Sequence, residues 1–423
     1  MTNIYIESYG CSASQSEAEI MAGLLKQSGF NIIENEEKAG LIIIVTCYVK
    51  TPTEQSILFR IKHFQGSNKK LIISGCMPEG IYNKMRKIAP DASLVSTHHV
   101  KNIAEAVEKT LQGKRVEFLG KSEEVKLCLP RIRKNPMIGI VPISSGCNSN
   151  CSYCCVKIAK GKLFSYPKEM IINEIETATK EGCKEIWLTA QDTASYDLKE
   201  EKLPDLLKEI SKISEEFFVR VGMMNLRNVL PIASDLIEAF KNRKIYKFIH
   251  LPIQSGSDKI LESMNRLYTV SQFENTINLF RQLNCQIWTD VIVGYPTEKE
   301  EDFLETLEII EKIKPDWINV SKFGTRPGTE AALLKPLSIK IVNERSRIIS
   351  ELVRKISLEK NKEWINWKGE VLISEKGKKA NQWIGRNFAY KPVLIESKEN
   401  LLGKTINVRI DNTNSSHLIG LIR

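Results

Sequence analysis

Residues 138–155 read IGIVPISSGCNSNCSYCC, an apolar run followed by a glycine and four cysteines. The apolar residues predict a buried β-strand over 138–143, and the glycine and polar residues after it predict a loop. Within this loop Cys147, Cys151 and Cys154 have the spacing C-x-x-x-C-x-x-C. Three thiolates suit a 4Fe-4S cluster with one open iron, whereas zinc usually takes four ligands. The sequence therefore predicts a catalytic iron–sulfur centre, with zinc or unligated thiols as the alternative, and Cys155 as a buried thiol.

The predicted strand is the first of six that alternate with helices. We predict strands at residues 138–143, 185–189, 217–221, 248–253, 286–293 and 317–322, and helices at 168–181, 203–216, 232–241, 271–283 and 302–313. Six βα units favour a partial (β/α)6 barrel, in which the chemistry lies at the carboxyl ends of the strands. An open doubly wound sheet remains the alternative, because periodicity does not separate the two arrangements.

Residues 1–112 also alternate between strands and helices, which predicts an α/β domain with a doubly wound parallel sheet. Its predicted strands are residues 3–8, 41–46 and 71–74, and Cys11, Cys47 and Cys76 each follow one of them. The carboxyl ends of neighbouring parallel strands open on one crevice, so these three thiols could bind a second 4Fe-4S cluster. The alternative is that each is an ordinary buried cysteine. Cys128, Cys183 and Cys285 have no comparable setting.

After a polar linker at 113–135 and the core at 136–362, the period of the sequence changes to two. Residues 370–374, 382–386, 391–395, 405–411 and 417–422 read as five short strands in a C-terminal domain at 363–423. Five strands in so few residues predict a small barrel of the OB type, which is common in nucleic-acid binding. Residues 362–423 hold eleven Lys or Arg against six Asp or Glu. This charge favours contact with phosphates, although a solvated lysine-rich barrel has the same composition.

The composition of the chain and the lengths of its apolar runs limit which class of protein it can be. The chain has 423 residues, of which 42% are hydrophobic, and a formal net charge of +10. No basic segment followed by an apolar one begins the sequence, and no apolar run approaches the ~20 residues of a membrane span. We therefore expect a cytoplasmic protein without a membrane partner, in which ten cysteines act as ligands or buried thiols rather than disulfides.

Further segments carry a resemblance that extends over nearly the whole chain. They read EIWLTAQDTASYD (185–197), RVGMMN (220–225), FIHLPIQSGSDKIL (248–261), TDVIVGYPTEKEEDF (289–303) and INVSKFGTRPGT (318–329). Together with the two cysteine triads, this order of motifs resembles the radical S-adenosylmethionine methylthiotransferases. The pattern is most similar to the archaeal and eukaryotic branch, which acts on N6-threonylcarbamoyladenosine in tRNA.

The resemblance implies a fold, two clusters and a reaction. The cluster on Cys147, Cys151 and Cys154 would cleave S-adenosylmethionine, and the resulting radical would abstract hydrogen from C2 of the adenine at position 37. A second cluster, on Cys11, Cys47 and Cys76, would hold the sulfur. The C-terminal barrel would be a TRAM domain that contacts the tRNA anticodon stem-loop, and a ferredoxin or flavodoxin would supply electrons. Related activities on isopentenyladenosine-37 or on a ribosomal protein side chain remain alternatives, and a zinc-containing nucleic-acid-binding protein is a third.

The same resemblance implies which residues bind S-adenosylmethionine and substrate. Tyr153 stands where the family carries an aromatic residue that packs on the adenine. The other candidates lie at or near the strand ends and are Thr189, Gln191, Asp192, Asn225, Gln254, Ser255, Asp290 and Arg326. For each of them, capping and hydrogen bonding within a loop is the alternative.

Overall fold

The N-terminal part of the chain forms a six-stranded parallel sheet in the computed structural model, which describes residues 2–49 and 51–423. The strand order is β2-β1-β3-β4-β5-β6. The strands are β1 (Asn3–Ser8), β2 (Asn31–Ile33), β3 (Leu41–Thr46), β4 (Lys70–Gly75), β5 (Ser93–Ser96) and β6 (Glu117–Phe118). The helices are α1 (Ser12–Gln27), α2 (Thr51–Gln65), α3 (Met77–Gly80), α4 (Tyr82–Ile88) and α5 (Ile103–Leu111).

Strand β3 lies near the centre of this sheet, and all six of its residues are buried. Its side chains alternate between two apolar clusters, one packed on α2 and the other on α1 and α5. Covered faces on both sides are typical of a parallel sheet, so the predicted doubly wound arrangement is confirmed. The sequence predicted β1, β3 and β4 but not the shorter β2, β5 and β6. Strand β6 falls within the segment that was predicted as a linker.

The central part of the chain contains six parallel strands at the predicted places. They are β7 (Ile138–Pro142), β10 (Glu185–Thr189), β13 (Phe218–Val221), β14 (Phe248–His250), β15 (Gln286–Val293) and β16 (Trp317–Lys322). Short paired strands are β8 (Ser144–Ser145) with β9 (Phe164–Ser165), and β11 (Asp197–Leu198) with β12 (Glu201–Lys202). The helices are α6 (Val156–Lys160), α7 (Lys168–Lys180), α8 (Leu203–Ser211), α9 (Leu226–Val229), α10 (Ala233–Phe240), α11 (Asp258–Ser263), α12 (Val270–Arg281), α13 (Glu300–Ile313) and α14 (Ile339–Lys362).

The six main strands follow one another in space in the order of the chain. Strands β7, β10 and β13 form one sheet, β14, β15 and β16 form another, and a bridge between Val219 and Ile245 joins them. A doubly wound sheet reverses its strand order at a switch point, and this arrangement does not. Within residues 2–49 and 51–423 no pairing connects β7 to β16. The result is the predicted partial barrel, open along the side between its first and last strands.

The C-terminal residues form a closed five-stranded barrel. Its strands are β17 (Lys368–Lys376), β18 (Gln382–Arg386), β19 (Pro392–Glu396), β20 (Thr405–Thr413) and β21 (Leu418–Ile422). The order around the barrel is β17-β18-β19-β21-β20, and only β19 and β21 are parallel. This closed antiparallel barrel with one parallel pair agrees with the predicted OB-like fold.

The small barrel packs against the amino ends of the central strands. Asn135, just before β7, donates a hydrogen bond from Nδ2 to the Ser374 carbonyl at 2.9 Å. Before β16, Asp316 Oδ1 pairs with the buried Lys391 Nζ at 2.9 Å. Because the N-terminal sheet packs at the opposite, carboxyl ends of the same strands, the central barrel separates the other two domains.

In the stretches 2–49 and 51–423, none of the helices has both the length and the apolar character needed to cross a bilayer.

Candidate active site at the carboxyl ends of the barrel strands

The loop that carries the first cysteine triad begins at Gly146, directly after β8. Gly146 has φ of +80°, and a Cβ atom there would lie 1.9 Å from the Lys162 carbonyl oxygen. Only glycine fits so close an approach. The Gly146 N–H donates to Gln191 Oε1 at 2.8 Å. The predicted pocket residue Gln191 therefore supports the cysteine loop from the end of the second barrel strand.

The thiols of Cys147, Cys151 and Cys154 are half-buried neighbours in this loop. The N–H of Cys154 donates to the Cys151 carbonyl at 3.0 Å, which forms a tight turn between the two. Burial raises the pKa of the Cys154 thiol to about 12, and Cys151 and Cys147 contribute to this rise. Burial also raises the pKa of Cys147. Neutral thiols of this kind ionise when a cation binds them, because metal ligation requires the thiolate.

Two donors already point at the sulfur atoms of this triad. The N–H of Ser149 donates to Cys147 Sγ at 3.4 Å, and Arg266 Nη1 lies 3.3 Å from Cys151 Sγ. An N–H group and a guanidinium directed at sulfur stabilise negative charge on a thiolate-bound cluster. The donor set present here therefore fits a 4Fe-4S cluster held by three cysteines.

Arg266 belongs to this site, although it was not predicted from the sequence. It is buried, and it also contacts Tyr268 Oη and Asn225 Oδ1, each at 2.9 Å, and Tyr153 Oη at 3.4 Å. Burial alone would lower its pKa, but Tyr153, Tyr268 and Cys151 raise it well above the usual value. The predicted adenine-contacting residue Tyr153 is thus fixed beside the cysteine loop by a permanent cation.

The second cysteine triad lies at the carboxyl edge of the N-terminal sheet, as predicted. Cys11 precedes α1, Cys47 follows β3 and Cys76 follows β4. Burial raises the pKa of Cys47 to about 11 and that of Cys76 to about 12, and each thiol is influenced by Cys11. Gly10 has φ of +102°, and a Cβ there would lie 2.4 Å from Cys47 Cβ. The close approach of these strand ends brings the three cysteines together.

Among the described parts of the chain, no three His, Cys, Asp or Glu side chains form a group suited to one metal ion. Each triad offers three thiols, a number that suits a 4Fe-4S cluster with one open iron.

Residues next to the cysteines of the second triad contact the barrel near the first triad. Ser12, next to Cys11, has its Oγ 2.7 Å from Thr189 Oγ1 at the end of β10. The hydroxyl of Tyr48, next to Cys47, donates to the Cys155 carbonyl at 3.0 Å. Cys155 is buried, as predicted, in the same apolar cluster as Tyr48. The two triads therefore face each other across one domain junction.

Other predicted pocket residues hold the loops in place. Asp192 is buried and accepts hydrogen bonds from the N–H of Asn225 at 2.9 Å and from Asn228 Nδ2 at 2.7 Å. Burial raises its pKa. Asn225 also donates from Nδ2 to Ser149 Oγ at 3.2 Å, within the cysteine loop. Asp192 and Asn225 thus connect two strand ends to the first triad.

Gln254, Ser255 and Arg326 differ in what their side chains contact. Gln254 has φ of +74°, and its buried Oε1 has no hydrogen-bond partner among residues 2–49 and 51–423. Ser255 Oγ is engaged by Thr306 Oγ1 at 3.4 Å, on α13. Arg326 forms a buried ion pair with Glu54 of the N-terminal domain. Gln254 therefore retains an acceptor for a ligand, whereas Arg326 connects two domains.

Asp290 belongs to a polar network with two residues that were not predicted. Its Oδ1 accepts from Asn319 Nδ2 at 2.7 Å and lies 2.9 Å from His250 Nε2. His250, Asp290 and Asn319 come from β14, β15 and β16, so the network crosses three strands of the barrel.

Two family models match this chain. The one described as the radical SAM superfamily matches residues 141–310. The one described as uncharacterized protein family UPF0004 matches residues 3–97. The first match includes the triad at 147–154, and the second includes Cys11, Cys47 and Cys76.

Named relatives match over almost the full length. A protein of Methanothermobacter thermautotrophicus, named probable threonylcarbamoyladenosine tRNA methylthiotransferase, is 41% identical over 421 residues, which cover 98% of each chain. A Pyrococcus horikoshii protein of the same name is 39% identical over 434 residues, covering 100% of both chains. The Xenopus laevis threonylcarbamoyladenosine tRNA methylthiotransferase is 34% identical over 419 residues, covering 96% of this chain and 74% of that one.

Solved structures share the fold at low sequence identity. The radical S-adenosylmethionine methyltransferase TsrM of Kitasatospora setae, with cobalamin and a [4Fe-4S] cluster bound, has a TM-score of 0.58 at 12% identity. The aligned part covers 79% of this chain and 77% of TsrM. The cobalamin-dependent radical enzyme OxsB has a TM-score of 0.54 at 11% identity, covering 83% and 56%. These similarities concern the fold.

Proposed function

Because this chain belongs to the family of threonylcarbamoyladenosine tRNA methylthiotransferases, we propose that it transfers a methylthio group to C2 of N6-threonylcarbamoyladenosine at position 37 of tRNA. It is a radical S-adenosylmethionine methylthiotransferase, and the resemblance read from its sequence is confirmed. The hypothesis of a zinc-containing nucleic-acid-binding protein is thereby wrong.

The proposal assigns one 4Fe-4S cluster to each cysteine triad. A cluster held by Cys147, Cys151 and Cys154 would supply the electron that cleaves S-adenosylmethionine, and a cluster held by Cys11, Cys47 and Cys76 would supply an open iron for sulfur. The reacting C–H bond is aromatic, and acid or base side chains do not activate it, so the hard chemistry belongs to cofactors. The protein's own residues orient the groups and exclude water.

The observation that carries this proposal is the pair of hydrogen bonds between the N-terminal strand ends that carry the second triad and the central barrel. Tyr48 and Ser12, each adjacent to a cysteine of the second triad, hydrogen-bond to Cys155 and Thr189 of the barrel. Sulfur transfer requires the sulfur and the activated carbon to share one cavity, and these contacts, which place the loops of the two triads at one domain junction, support that arrangement. If the N-terminal cysteines had only a structural role, nothing would require their strand ends to meet the strand ends of the central barrel.

Residues around the first triad are proposed to bind S-adenosylmethionine. Arg266 fixes Tyr153 and Asn225 in place, and the phenol ring of Tyr153 supplies an apolar face for an adenine. The free Oε1 of Gln254 accepts a hydrogen bond from a ligand N–H or O–H group. Thr189, Gln191 and Asp192 are proposed to orient S-adenosylmethionine indirectly, by holding the loops around the first triad. Ser255 and Asp290 are proposed to do so by fixing the wall of the barrel.

The C-terminal barrel is proposed to bind the tRNA anticodon stem-loop. Lys376 at the end of β17 and Lys378 and Lys379 in the turn before β18 are exposed, close to the Asn135–Ser374 contact before β7. This barrel and the cysteine triads lie at opposite ends of the central strands. An RNA held by both therefore runs along the open side of the partial barrel, beside β7.

Further parts of the proposal concern partners and organisation. We propose a ferredoxin or flavodoxin as electron donor, a cytoplasmic location, and functional units at 1–112, 136–362 and 363–423 joined by the segment 113–135. The alternative substrates that the sequence left open are isopentenyladenosine-37 of tRNA and a ribosomal protein side chain.

Nucleoside mass spectrometry tests the substrate. In tRNA from a strain without this gene, the 2-methylthio derivative of N6-threonylcarbamoyladenosine should disappear and the unmodified form should accumulate. A plasmid copy should restore it, and a Cys147→Ala copy should not. Persistence of the 2-methylthio derivative in the deletion strain contradicts the proposal, and loss of 2-methylthio-isopentenyladenosine instead selects the alternative.

A further inference from the structure

Arg220, in strand β13, lies on the inner face of the central barrel. Its neighbours Val219 and Val221 belong to the apolar core that packs between the strands and the helices. Because successive side chains of a strand point to opposite faces, Arg220 points into the barrel. It begins the segment RVGMMN at 220–225, one of the segments that carry the family resemblance. No step of the proposed function uses this cation.

Aromatic rings surround the guanidinium of Arg220. Its Cζ lies 5.4 Å from the ring centres of Trp187 and Phe248, and 5.6 Å from the ring centre of Tyr390 in the C-terminal barrel. Rings at this distance attract a cation, but they accept no conventional hydrogen bond from it. Over residues 2–49 and 51–423, no hydrogen bond and no ion pair engages the side chain, which is half-buried.

The carboxylate that influences Arg220 is directed at other groups. Glu185 is buried, and it accepts hydrogen bonds from Trp187 Nε1 and, at 3.4 Å, from the hydroxyl of Tyr246. Burial raises the pKa of Glu185, and Arg386 opposes this rise more strongly than Arg220 does. A guanidinium carries five N–H donors in a planar fork that matches a carboxylate. Arg220 therefore keeps its donors available for an acidic group of a ligand.

The interior around Arg220 is not filled by branched apolar side chains. A complete eight-stranded barrel packs its interior with such residues. Here three tryptophans and three polar residues alternate along their strands with members of the outer apolar core, and all six are half-buried: Trp187, Trp288, Trp317, His250, Asp290 and Asn319. The space inside the barrel therefore remains accessible, and it combines flat aromatic faces with polar groups.

The depth of Arg220 within the barrel follows from its strand pairing. Its register partner on β10 is Trp187. Two residues, or about 7 Å of strand, separate Trp187 from Thr189 at the carboxyl end of β10. There Thr189 Oγ1 lies 2.7 Å from the hydroxyl of Ser12, the residue after Cys11. A base held at the carboxyl ends of the strands therefore has Arg220 below it, within reach of a chain that extends from the base into the barrel.

We propose that Arg220 binds the carboxylate of the threonine group on N6-threonylcarbamoyladenosine, and so selects this base over adenines that lack an acidic group. Enzymes that act on a base take it out of the stack and hold it in a pocket. The adenine would lie at the carboxyl ends of the strands, and its threonylcarbamoyl group would extend down to the guanidinium. A site built to pair with a charged group rejects an analogue that lacks it, because its own donors are left unpaired. The inference rests on the proposed function and adds a residue that determines its substrate.

Two labelled anticodon stem-loops test this assignment. One carries N6-threonylcarbamoyladenosine at position 37, and the other carries its threonine methyl ester, which removes the negative charge and keeps the rest of the group. Affinities are measured by fluorescence anisotropy with the cluster-loaded protein under anaerobic conditions. The variants are Arg220→Met and Arg220→Lys. The control is Arg243→Met, at an exposed arginine paired with Glu216.

The wild type should bind the acid RNA about ten- to a hundredfold more tightly than the ester RNA, the range for a hydrogen bond to a charged group. In Arg220→Met the affinity for the acid RNA should fall to that for the ester RNA, which itself should stay within twofold of wild type. Arg220→Lys keeps a charge without the fork and should give an intermediate preference. Arg243→Met should match the wild type with both RNAs.

S-adenosylmethionine also carries a carboxylate, so its affinity is measured in the same variants. It should stay within twofold of wild type in Arg220→Met, because the proposal assigns the guanidinium to the RNA substrate.

Three results would overturn the inference. One is an undiminished preference for the acid RNA in Arg220→Met. Another is equal weakening of both RNAs in that variant, which indicates that Arg220 only supports the packing of Tyr390. The third is a loss of S-adenosylmethionine affinity, which assigns the guanidinium to the methionine carboxylate.

Methylthio transfer by the wild type to both RNAs is followed in parallel by mass spectrometry. If the acid and ester RNAs are bound and converted equally well, the inference fails and the proposed function stands. If the acid RNA is bound with the expected preference but yields no 2-methylthio product, the proposed function fails.

Discussion

The hydroxyl of Tyr48 donates a hydrogen bond to the backbone carbonyl of Cys155 at 3.0 Å, and this contact joins the N-terminal sheet to the loop of the first cysteine triad. Both residues are buried, and each directly follows a predicted cluster ligand. The Tyr48 ring is also confined by Gly80, where a Cβ atom would lie 2.2 Å from Tyr48 Cζ. Tyr48 therefore contributes, together with the Ser12–Thr189 and Arg326–Glu54 contacts, to the relative placement of the two triads.

Replacing Tyr48 with Phe should uncouple S-adenosylmethionine cleavage from methylthio transfer. The ring still fills its space, but the buried Cys155 carbonyl loses its donor, which costs about 1 to 3 kcal/mol of stability. We expect S-adenosylmethionine cleavage to continue while methylthio product per cleavage falls. Product and 5′-deoxyadenosine are quantified together by liquid chromatography. Tyr82→Phe, at an exposed tyrosine, should leave the ratio unchanged; an unchanged ratio in Tyr48→Phe as well would contradict this role.

Iron content should distinguish the two triads. Two 4Fe-4S clusters give about eight iron atoms per chain after anaerobic reconstitution. Cys147→Ala and Cys76→Ala should each retain about four, but only Cys76→Ala should still cleave S-adenosylmethionine, because only the first cluster has that role. Cys128→Ala is the control, since Cys128 is exposed and belongs to neither triad. A wild-type content near four would rule out the second cluster.

Gly10 offers a separate test of the second triad without removing a ligand. An added methyl group would lie 2.4 Å from Cys47 Cβ, and the residue has a φ that L side chains rarely adopt. Gly10→Ala should therefore displace Cys11 or Cys47 and lower iron to about four per chain. Gly29→Ala, also at positive φ but in open space, is the matched control. Equal iron in the two variants would show that the strand ends tolerate the shift.

Arg266→Lys should lower the reduction potential of the first cluster. Lysine keeps the charge, but it does not reproduce the guanidinium fork that reaches Cys151, Asn225 and Tyr268 together. Loss of a charged hydrogen bond to a ligand sulfur makes reduction harder. The potential is measured by redox titration followed by electron paramagnetic resonance, with exposed Arg243→Lys as control. A potential equal to that of the control would remove Arg266 from the site.

Elements with a strong period were the ones that the sequence could predict. All six barrel strands and all five strands of the small barrel are present, because each buries alternating or continuous apolar residues over several positions. Strands β2, β5 and β6 have two to four residues, too few for a period to be recognised. They pair with strands that come from elsewhere in the chain, and their own few residues carry no signal of that pairing.

The candidate site also contains some features that the sequence could predict and others that it could not. The cysteine triads were predictable because parallel strands bring their carboxyl ends to one edge. Arg266 and its partner Cys151 are 115 residues apart, and Ser12 and Thr189 are 177 apart. The first contact arises from packing within the central barrel and the second from packing between domains, and no spacing in the sequence signals either of them.

The lysines at the end of β17 and in the turn before β18 allow the RNA path to be tested by salt dependence. Each phosphate neutralised by a lysine contributes about 0.7 to 0.9 to the slope of log affinity against log salt. Replacing Lys376, Lys378 and Lys379 together with Ala should reduce this slope by about 2 to 3 and weaken tRNA binding, since all three are exposed and are proposed to contact RNA phosphates. Fluorescence anisotropy with labelled anticodon stem-loop at several salt concentrations measures both quantities. The control replaces Lys180, Lys212 and Lys241, which form exposed ion pairs on outer helices or their ends. If the control variant lost as much slope as the turn variant, the charge would act from the whole surface and the proposed path beside β7 would be wrong.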